Sequence, residues 1–333
     1  MITVHTPMPI FNKPGPLRAL LEKRGFVGEW ICASDAPKGK AGKEHTQKAI
    51  IERAPEIEYL IIDTTPLGAE FFLTAKKLKL IAMFGVGIDH ISIPEATNAG
   101  VLITNAPGVN SRCVSELVFA FMLDMSHKVT RMHTELVSGV WRPRLGFEIS
   151  GKTLGIIGFG HIGQDMARIA QAFGMRVIFA NRTPRPELAC TSQAVQLPFD
   201  QVLAEADYLS VHIPGGPESW RFGAKQFAAM KKGAYFINAA RGDIADLDAL
   251  ADALLSGHLA GAGLDVFPQE PPRSDHPVFS LPQVVVTPHA GGLSAESMAK
   301  VTASTLDEVV RVLKKERSPN ACNPEVYNAW GGF

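Results

Sequence analysis

A chain of 333 residues with 33 basic and 33 acidic side chains carries no net formal charge, which excludes the broad basic footprint of a nucleic-acid or anionic-membrane binder and leaves ample length for one or two buried cores. The cysteines Cys32, Cys113, Cys190 and Cys322 lie far apart with no C-x-x-C pair, which argues against a bound metal such as zinc and against a disulfide framework, and suits a reducing compartment. No apolar run reaches the length of a membrane-spanning helix, and the first residues read as a strand rather than a leader, so a soluble cytoplasmic protein is expected.

Strand-like and helix-like segments alternate from the start. Residues 2–4 read as a strand, 16–24 as a helix closed by Gly25, 44–53 as a helix, 59–63 as a strand, 67–77 as a helix and 78–84 as a strand. A short helix at 93–99, stopped by Gly100, leads to a strand at 101–104. This rhythm predicts a parallel sheet covered on both faces, a flavodoxin-like unit. Asn105-Ala-Pro-Gly-Val-Asn110 breaks the pattern and marks a domain boundary. One long helix is expected from 111 to about 133, and Gly139, Pro143 and Gly146 make 138–150 a loop or arm.

Residues 152–182 form a complete βαβ pattern around Gly158-Phe-Gly-His-Ile-Gly163. An apolar strand precedes the glycines, a helix with Met166, Ile169, Ala170 and Phe173 on one face follows, and Gly174 separates it from a second buried strand. In that context G-x-G-x-x-G is a dinucleotide fingerprint. Gly158 permits the turn, Gly160 lets the backbone approach a pyrophosphate, and Gly163 lets the helix pack on the strand. Strands are expected at 208–213, 234–238, 260–264 and 284–287, and helices at 224–230 and 247–256. A long helix at 293–315 is expected to return to the first unit, with a tail from Pro319 onward. The predicted class is α/β with two parallel-sheet domains: a flavodoxin-like substrate-binding domain at 1–104, completed by 293–333, and a Rossmann dinucleotide-binding domain at 105–292.

The end of the second Rossmann strand distinguishes the coenzymes. An acidic residue there would bind the ribose 2′-hydroxyl of NAD, but this chain has Ala180-Asn181-Arg182-Thr183. Arg182, with Arg185 nearby, can pair with a 2′-phosphate through parallel hydrogen bonds, so NADP is favoured and NAD stays possible. The alternative is a solvated Arg182 with Asn181 on a plain ribose.

Polar residues suited to hydride transfer follow three more strands. Arg241, in Asn238-Ala-Ala-Arg-Gly-Asp243, is placed to clamp a carboxylate and polarise the adjoining carbonyl. Asp265 and Glu270 lie in Gly263-Leu-Asp-Val-Phe-Pro-Gln-Glu-Pro271, and His289 in Thr287-Pro-His-Ala-Gly-Gly292. A histidine beside a carboxylate makes a general acid with a fixed tautomer and a raised pKa.

With these residues in view, the chain resembles the D-isomer-specific 2-hydroxyacid dehydrogenases, the group of glyoxylate/hydroxypyruvate reductases and phosphoglycerate dehydrogenases. The resemblance runs over nearly the whole chain and rests on Gly85-Val-Gly-Ile-Asp89, Gly158 to Gly163, Val211-His-Ile-Pro214, Asn238 to Gly242, Leu264-Asp-Val-Phe267 with Glu270-Pro271, and Pro288-His-Ala-Gly291. It implies Arg241 on the substrate carboxylate and carbonyl, His289 as proton donor, and Glu270 as the carboxylate that holds His289. It implies the N–H groups of Val86 and Gly87 on the substrate carboxylate, and His161 and Ile162 at the pyrophosphate. Ala239 and Asp265 would lie beside the nicotinamide side of the coenzyme and His212 and Pro214 beside its adenosine, with Gly292 also binding the coenzyme. A homodimer is implied as well, with Trp141 in an arm that either reaches the partner's active site or packs at the contact.

The Arg-Thr-Pro-Arg-Pro run at Arg182 to Pro186 resembles the NADPH-using reductases. Gly215-Gly216 replaces the family's usual Leu-Thr, which leaves one polar contact unaccounted for, and Phe84 stands where several members have a polar or basic residue. The chain ends soon after the returning helix, so the regulatory domain of longer phosphoglycerate dehydrogenases is not expected. The reading is an NAD(P)-dependent oxidoreductase of small 2-oxo or D-2-hydroxy acids. One alternative is phosphoglycerate or another small acid such as formate or phosphite, with Lys13, Arg142 and Arg144 as candidate phosphate ligands. The other class is a dinucleotide-sensing module that binds a partner protein.

Overall fold

The computed structural model describes residues 2–8, 15–31, 40–185, 187–188 and 193–331; Lys13, Cys32, Pro186 and Cys190 lie outside them. The chain divides into two compact units, Met1–Asn110 with Gly292–Phe333, and Ser111–Gly291.

In the first unit β1 (Ile2–Thr6), α1 (Pro16–Lys23), β2 (Phe26–Trp30), α2 (Lys40–Arg53), β3 (Tyr59–Ile62), α3 (Ala69–Thr74), β4 (Leu80–Met83), α4 (Ile93–Asn98) and β5 (Leu102–Thr104) follow one another. The strands are parallel in the order β2-β1-β3-β4-β5, the flavodoxin-like arrangement. β3 and β4 are buried at every position, as strands covered on both faces must be. Ile50, Phe71 and Ala96 pack with one face of this sheet, and Leu17 and Leu21 with the other.

The second unit opens with α5 (Ser111–His127) and α6 (Val129–Val137). It continues through β6 (Thr153–Ile157), α7 (His161–Ala172), β7 (Arg176–Ala180), β8 (Val195–Gln196), α8 (Phe199–Glu205), β9 (Tyr208–Val211), α9 (Ala224–Ala229), β10 (Tyr235–Asn238), α10 (Leu247–Leu255), β11 (Gly261–Leu264) and β12 (Val284–Val286). These strands form a seven-stranded parallel sheet in the order β12-β11-β10-β9-β6-β7-β8. Its order reverses between β6 and β9, and ligands of such sheets bind outside the carboxyl ends of the strands at that switch point. Alternate strand residues serve opposite faces: Leu154, Ile156, Val177 and Phe179 pack with α5 and α7, while Ile178, Leu209, Val211 and Phe236 pack with α8, α9 and α10. The chain then returns to the first unit as α11 (Ala295–Leu313) and α12 (Val326–Ala329).

The helix expected over 111–133 is two helices. Lys128 adopts φ 59 between them, and Asp124 Oδ1 accepts the Thr130 N–H at 2.6 Å, capping the second. The stretch expected as a tail from Pro319 is built into the first unit. Ala321 pairs antiparallel with Thr104, and the Cys322 N–H donates to the Ile103 carbonyl at 2.8 Å, so the open edge of β5 is covered.

Candidate active site

Each candidate of the second unit outside the arm and α7 follows the carboxyl end of a parallel strand. Gly158 follows β6, Asn181 and Arg182 follow β7, His212 and Pro214 follow β9, Ala239 and Arg241 follow β10, Asp265 and Glu270 follow β11, and His289 follows β12.

The glycine turn between β6 and α7 separates into tight and open positions. Gly158 has φ +96, and a Cβ there would fall 2.3 Å from the His212 carbonyl oxygen; one on Gly163 would fall 2.6 Å from the Gly158 carbonyl oxygen. Around Gly160 a Cβ would meet no atom within 4 Å. Gly160 is also the N-cap of α7 and offers no side chain to the first-turn amides. The main-chain N–H groups of His161, Ile162 and Gly163 therefore start a twelve-residue helix behind open space, which suits an anion such as a pyrophosphate. These residues fit a dinucleotide.

Asn181 serves the same turn. Its Oδ1 accepts the Phe159 N–H at 2.7 Å, so the residue that replaces the expected acid holds the glycine loop in place. Arg182 is exposed and donates from Nη1 to the Glu218 carbonyl at 3.2 Å. Arg185 is paired with Glu187. The His212 Nε2 lies 2.8 Å from Ser210 Oγ, and its Nδ1 is enclosed without a partner. Although part of the residue is exposed, burial of the ring pushes its pKa down to about 3, so the imidazole is neutral near neutral pH. Pro214 is exposed and Ala239 half-buried.

β10, β11 and β12 are neighbours in the sheet, so the segments that carry Arg241, Glu270 and His289 leave it side by side. His289 Nδ1 lies 2.9 Å from Glu270 Oε2. That hydrogen bond outweighs burial and the nearby positive charge of Arg241, and raises the imidazole pKa above its ordinary value. Arg241 is half-buried and donates from Nη1 to the Ala240 carbonyl at 2.7 Å. Asn238 braces the same turn: its Nδ2 donates to the Arg241 carbonyl at 2.8 Å and its Oδ1 accepts the Ala240 N–H at 3.1 Å.

Asp265 has a part that sequence reading missed. It is only 1 % exposed. Its Oδ1 accepts from Thr287 Oγ1 at 2.5 Å and the Ala290 N–H at 2.6 Å, and its Oδ2 accepts the Gly291 N–H at 2.8 Å. The carboxylate thereby ties down the turn that presents His289, whose own φ of 55 is unusual for a residue with a side chain. Thr287 was also missed; a hydroxyl placed just after an apolar strand was its only signal.

Val86 and Gly87 lie in the first unit, in the loop after β4. Asn105 Nδ2 donates to the Val86 carbonyl at 2.7 Å, and the Ala106 N–H to the Gly85 carbonyl at 2.9 Å. Gly292 belongs to this unit too. Trp141 is 85 % exposed in the arm that follows α6. Among the described residues there is no group of His, Cys, Asp and Glu able to hold a metal ion, and no helix is long and apolar enough to cross a membrane.

A parallel sheet of this order, an open glycine turn and an imidazole tethered to a carboxylate together define a nicotinamide-dinucleotide oxidoreductase. Residues 119–291 match the model of the D-isomer specific 2-hydroxyacid dehydrogenase NAD-binding domain. The chain is similar to the glyoxylate reductase of Thermococcus litoralis, with 36 % identity over 92 % of this chain and 93 % of that protein. It is similar to the D-3-phosphoglycerate dehydrogenase of Mycobacterium leprae, with 39 % identity over 82 % of this chain and 52 % of that protein. Its fold matches the crystal structure of the TT0316 protein from Thermus thermophilus with a TM-score of 0.84, at 33 % identity over 97 % of this chain and 100 % of that one. The chain belongs to the D-isomer specific 2-hydroxyacid dehydrogenase family, and it is an NAD(P)-dependent oxidoreductase acting on CH–OH donors.

Proposed function

We propose that the chain reduces a small 2-oxo acid of the glyoxylate or hydroxypyruvate kind to its 2-hydroxy acid, the D isomer where the product is chiral, with NADPH preferred to NADH. When bound, the coenzyme supplies the hydride. Arg241 binds the substrate carboxylate and polarises the carbonyl that becomes an alkoxide. His289 gives that oxygen a proton from Nε2, while Glu270 holds Nδ1 and stabilises the imidazolium. The Val86 and Gly87 N–H groups take a carboxylate-binding role, supported by the bracing of their loop by Asn105 and Ala106. His161, Ile162 and the three fingerprint glycines hold the pyrophosphate. His212 and Pro214 border the adenosine, Ala239 and Asp265 the nicotinamide side, and Gly292 binds the coenzyme as well. The NADPH preference is supported by an exposed Arg182 beside a neutral Asn181, which stands where an acid would repel a 2′-phosphate.

The observation that carries this reading is the 2.9 Å contact between His289 and Glu270, with its upward effect on the imidazole pKa. A panel of 2-oxo acids assayed separately with NADH and NADPH tests it. Coenzyme oxidation with glyoxylate or hydroxypyruvate is expected, with the lower KM for NADPH; oxidation with none of the acids overturns it.

Phosphoglycerate is the second reading, favoured by the likeness to the Mycobacterium leprae protein. Against it, Arg144 already pairs with Glu135, its Nε lying 2.8 Å from Oε2. The proposed homodimer, joined through the second unit, is supported by exposed apolar side chains crowded into one short stretch: Val137, Trp141 and Leu145 are 75 %, 85 % and 90 % exposed. The free thiols of Cys113 and Cys322 support a reducing, cytoplasmic setting.

A further inference from the structure

Residues 214–221 make up most of the connection between β9 and α9, and Asp243 holds this loop at two points. The Gly216 N–H donates to Asp243 Oδ2 at 3.3 Å. Arg221 Nη1 lies 2.8 Å from the same oxygen and also donates to the Asp243 carbonyl. Arg221 Nη2 closes the ring by donating to the Gly216 carbonyl at 2.9 Å. Two side chains, distant in sequence, thus supply the polar anchoring that the Gly215-Gly216 pair itself lacks.

The anchored loop lies against Arg241. A Cβ on Gly215 would fall 2.9 Å from Asp243 Oδ1 and 3.3 Å from Arg241 Cγ. The missing side chain at Gly215 is what lets the loop back onto the arginine stem, and Gly216, at φ +100, completes the turn. A long arginine side chain has many rotamers to lose on binding a ligand. A wall along its stem removes part of that freedom in advance, which favours an oriented guanidinium over a mobile one.

We propose that Asp243, clamped by Arg221, is a positioning residue for Arg241: it pins the Gly215-Gly216 turn so that Gly215 lies against the arginine stem and the guanidinium meets the 2-oxo acid already oriented. The proposal rests on the reading of Arg241 as the substrate-binding group. Burial opposes ionisation of Asp243, but the hydrogen bonds from Arg221 and Gly216 outweigh it and hold the carboxyl below its ordinary range. The tether is therefore charged near neutral pH.

The test compares the intact wild-type protein with Asp243→Ala, Asp243→Asn and Gly215→Ala. For each, glyoxylate kinetics are measured at saturating NADPH, together with the NADPH Kd, the Tm, and phenylglyoxal labelling of Arg241 relative to the exposed Arg273 by peptide mass mapping. Asp243→Ala and Gly215→Ala are expected to lose about tenfold or more in kcat/KM, the scale of one hydrogen bond to a charged group. Most of that loss should appear as a higher KM for glyoxylate, with NADPH Kd and Tm little changed. Asp243→Asn keeps an acceptor for Gly216 without the ion pair and should fall between the wild type and Asp243→Ala. Arg241 labelling should rise in Asp243→Ala. Unchanged glyoxylate KM and unchanged labelling in folded Asp243→Ala and Gly215→Ala overturn the proposal, as does a loss shared equally by substrate, coenzyme and Tm. If the wild type reduces no 2-oxo acid, the functional reading fails, and the labelling ratio alone then decides whether Asp243 sets the position of Arg241.

Discussion

His289 Nδ1 and Glu270 Oε2 lie 2.9 Å apart across a separation of 19 residues, and this contact sets the expected pH behaviour. The carboxylate holds the imidazole pKa above its ordinary 6.5. The protonated ring prevails below the raised pKa and is lost as pH rises through it. Reduction, which needs that proton, should decline on the alkaline side, and oxidation, which needs the neutral ring, on the acid side. Glu270→Gln removes the leading cause of the rise, so both limbs should move to lower pH in rate profiles. His289→Ala should cost about two to four orders of magnitude in kcat, the usual share of general acid–base catalysis. A pH profile of Glu270→Gln that superimposes on the wild type would contradict the assignment.

Coenzyme choice is expected to follow Arg182 and Asn181. Arg182→Ala should raise the KM for NADPH about ten- to a hundredfold, as loss of a charge-assisted pair to a phosphate implies, with the KM for NADH nearly unchanged. Asn181→Asp keeps an acceptor for the Phe159 N–H, now supplied by Asn181 Oδ1 at 2.7 Å, and adds a negative charge that repels a 2′-phosphate. It should shift preference toward NADH. Equal effects on both coenzymes in either variant would dismiss the 2′-phosphate explanation.

Patterns that repeat over neighbouring residues were legible before any coordinates. β3, β4 and β6 are short apolar runs, and the fingerprint glycines sit between a strand and an amphipathic helix, so local order alone disclosed the α/β class. β2 escaped because only Phe26 of its five residues is buried and Gly28 and Glu29 break the apolar run. The break at Lys128 escaped because lysine is a good helix former, and the left-handed backbone there is stabilised by Asp124 from the preceding helix. At the site, residue types and the family resemblance suggested Arg241, Glu270 and His289, and the structure brings His289 and Glu270 into contact. The bonds from Asp265 to Thr287, Ala290 and Gly291 span 22 to 26 residues. Neither they nor the clamp of Arg221 on Asp243 leaves any periodic trace in the chain.

The arm after α6 yields a prediction about assembly. Trp141 and Leu145, 85 % and 90 % exposed, present large apolar surface, and contiguous exposed apolar surface of this kind marks contact sites between proteins. A double Trp141→Ser, Leu145→Ser variant should sediment as a smaller species than the wild type at equal concentration. If Trp141 also reaches the partner's substrate site, Trp141→Ser alone should raise the KM for the 2-oxo acid. Identical sedimentation of wild type and double variant would remove the arm from the interface.

Asn323 offers a test of stability independent of catalysis. Its side chain is 1 % exposed, on the segment that covers the edge of β5. Oδ1 accepts the Ile103 N–H at 2.7 Å, and Nδ2 donates to the Val101 carbonyl at 2.9 Å and Thr97 Oγ1 at 3.0 Å. Asn323→Ala leaves a main-chain donor and a main-chain acceptor buried with nothing to replace that side chain. Unsatisfied groups of this kind cost about 1–3 kcal/mol each, so a loss of roughly 2–6 kcal/mol is expected in the urea transition. Asn323→Asp separates hydrogen bonding from volume. It keeps an acceptor for Ile103 but turns a second oxygen toward the Val101 carbonyl, so it should destabilise at neutral pH and recover in part at low pH, where protonation restores a donor. A urea midpoint in Asn323→Ala equal to the wild type would mean that the segment merely lies along β5 without stabilising it.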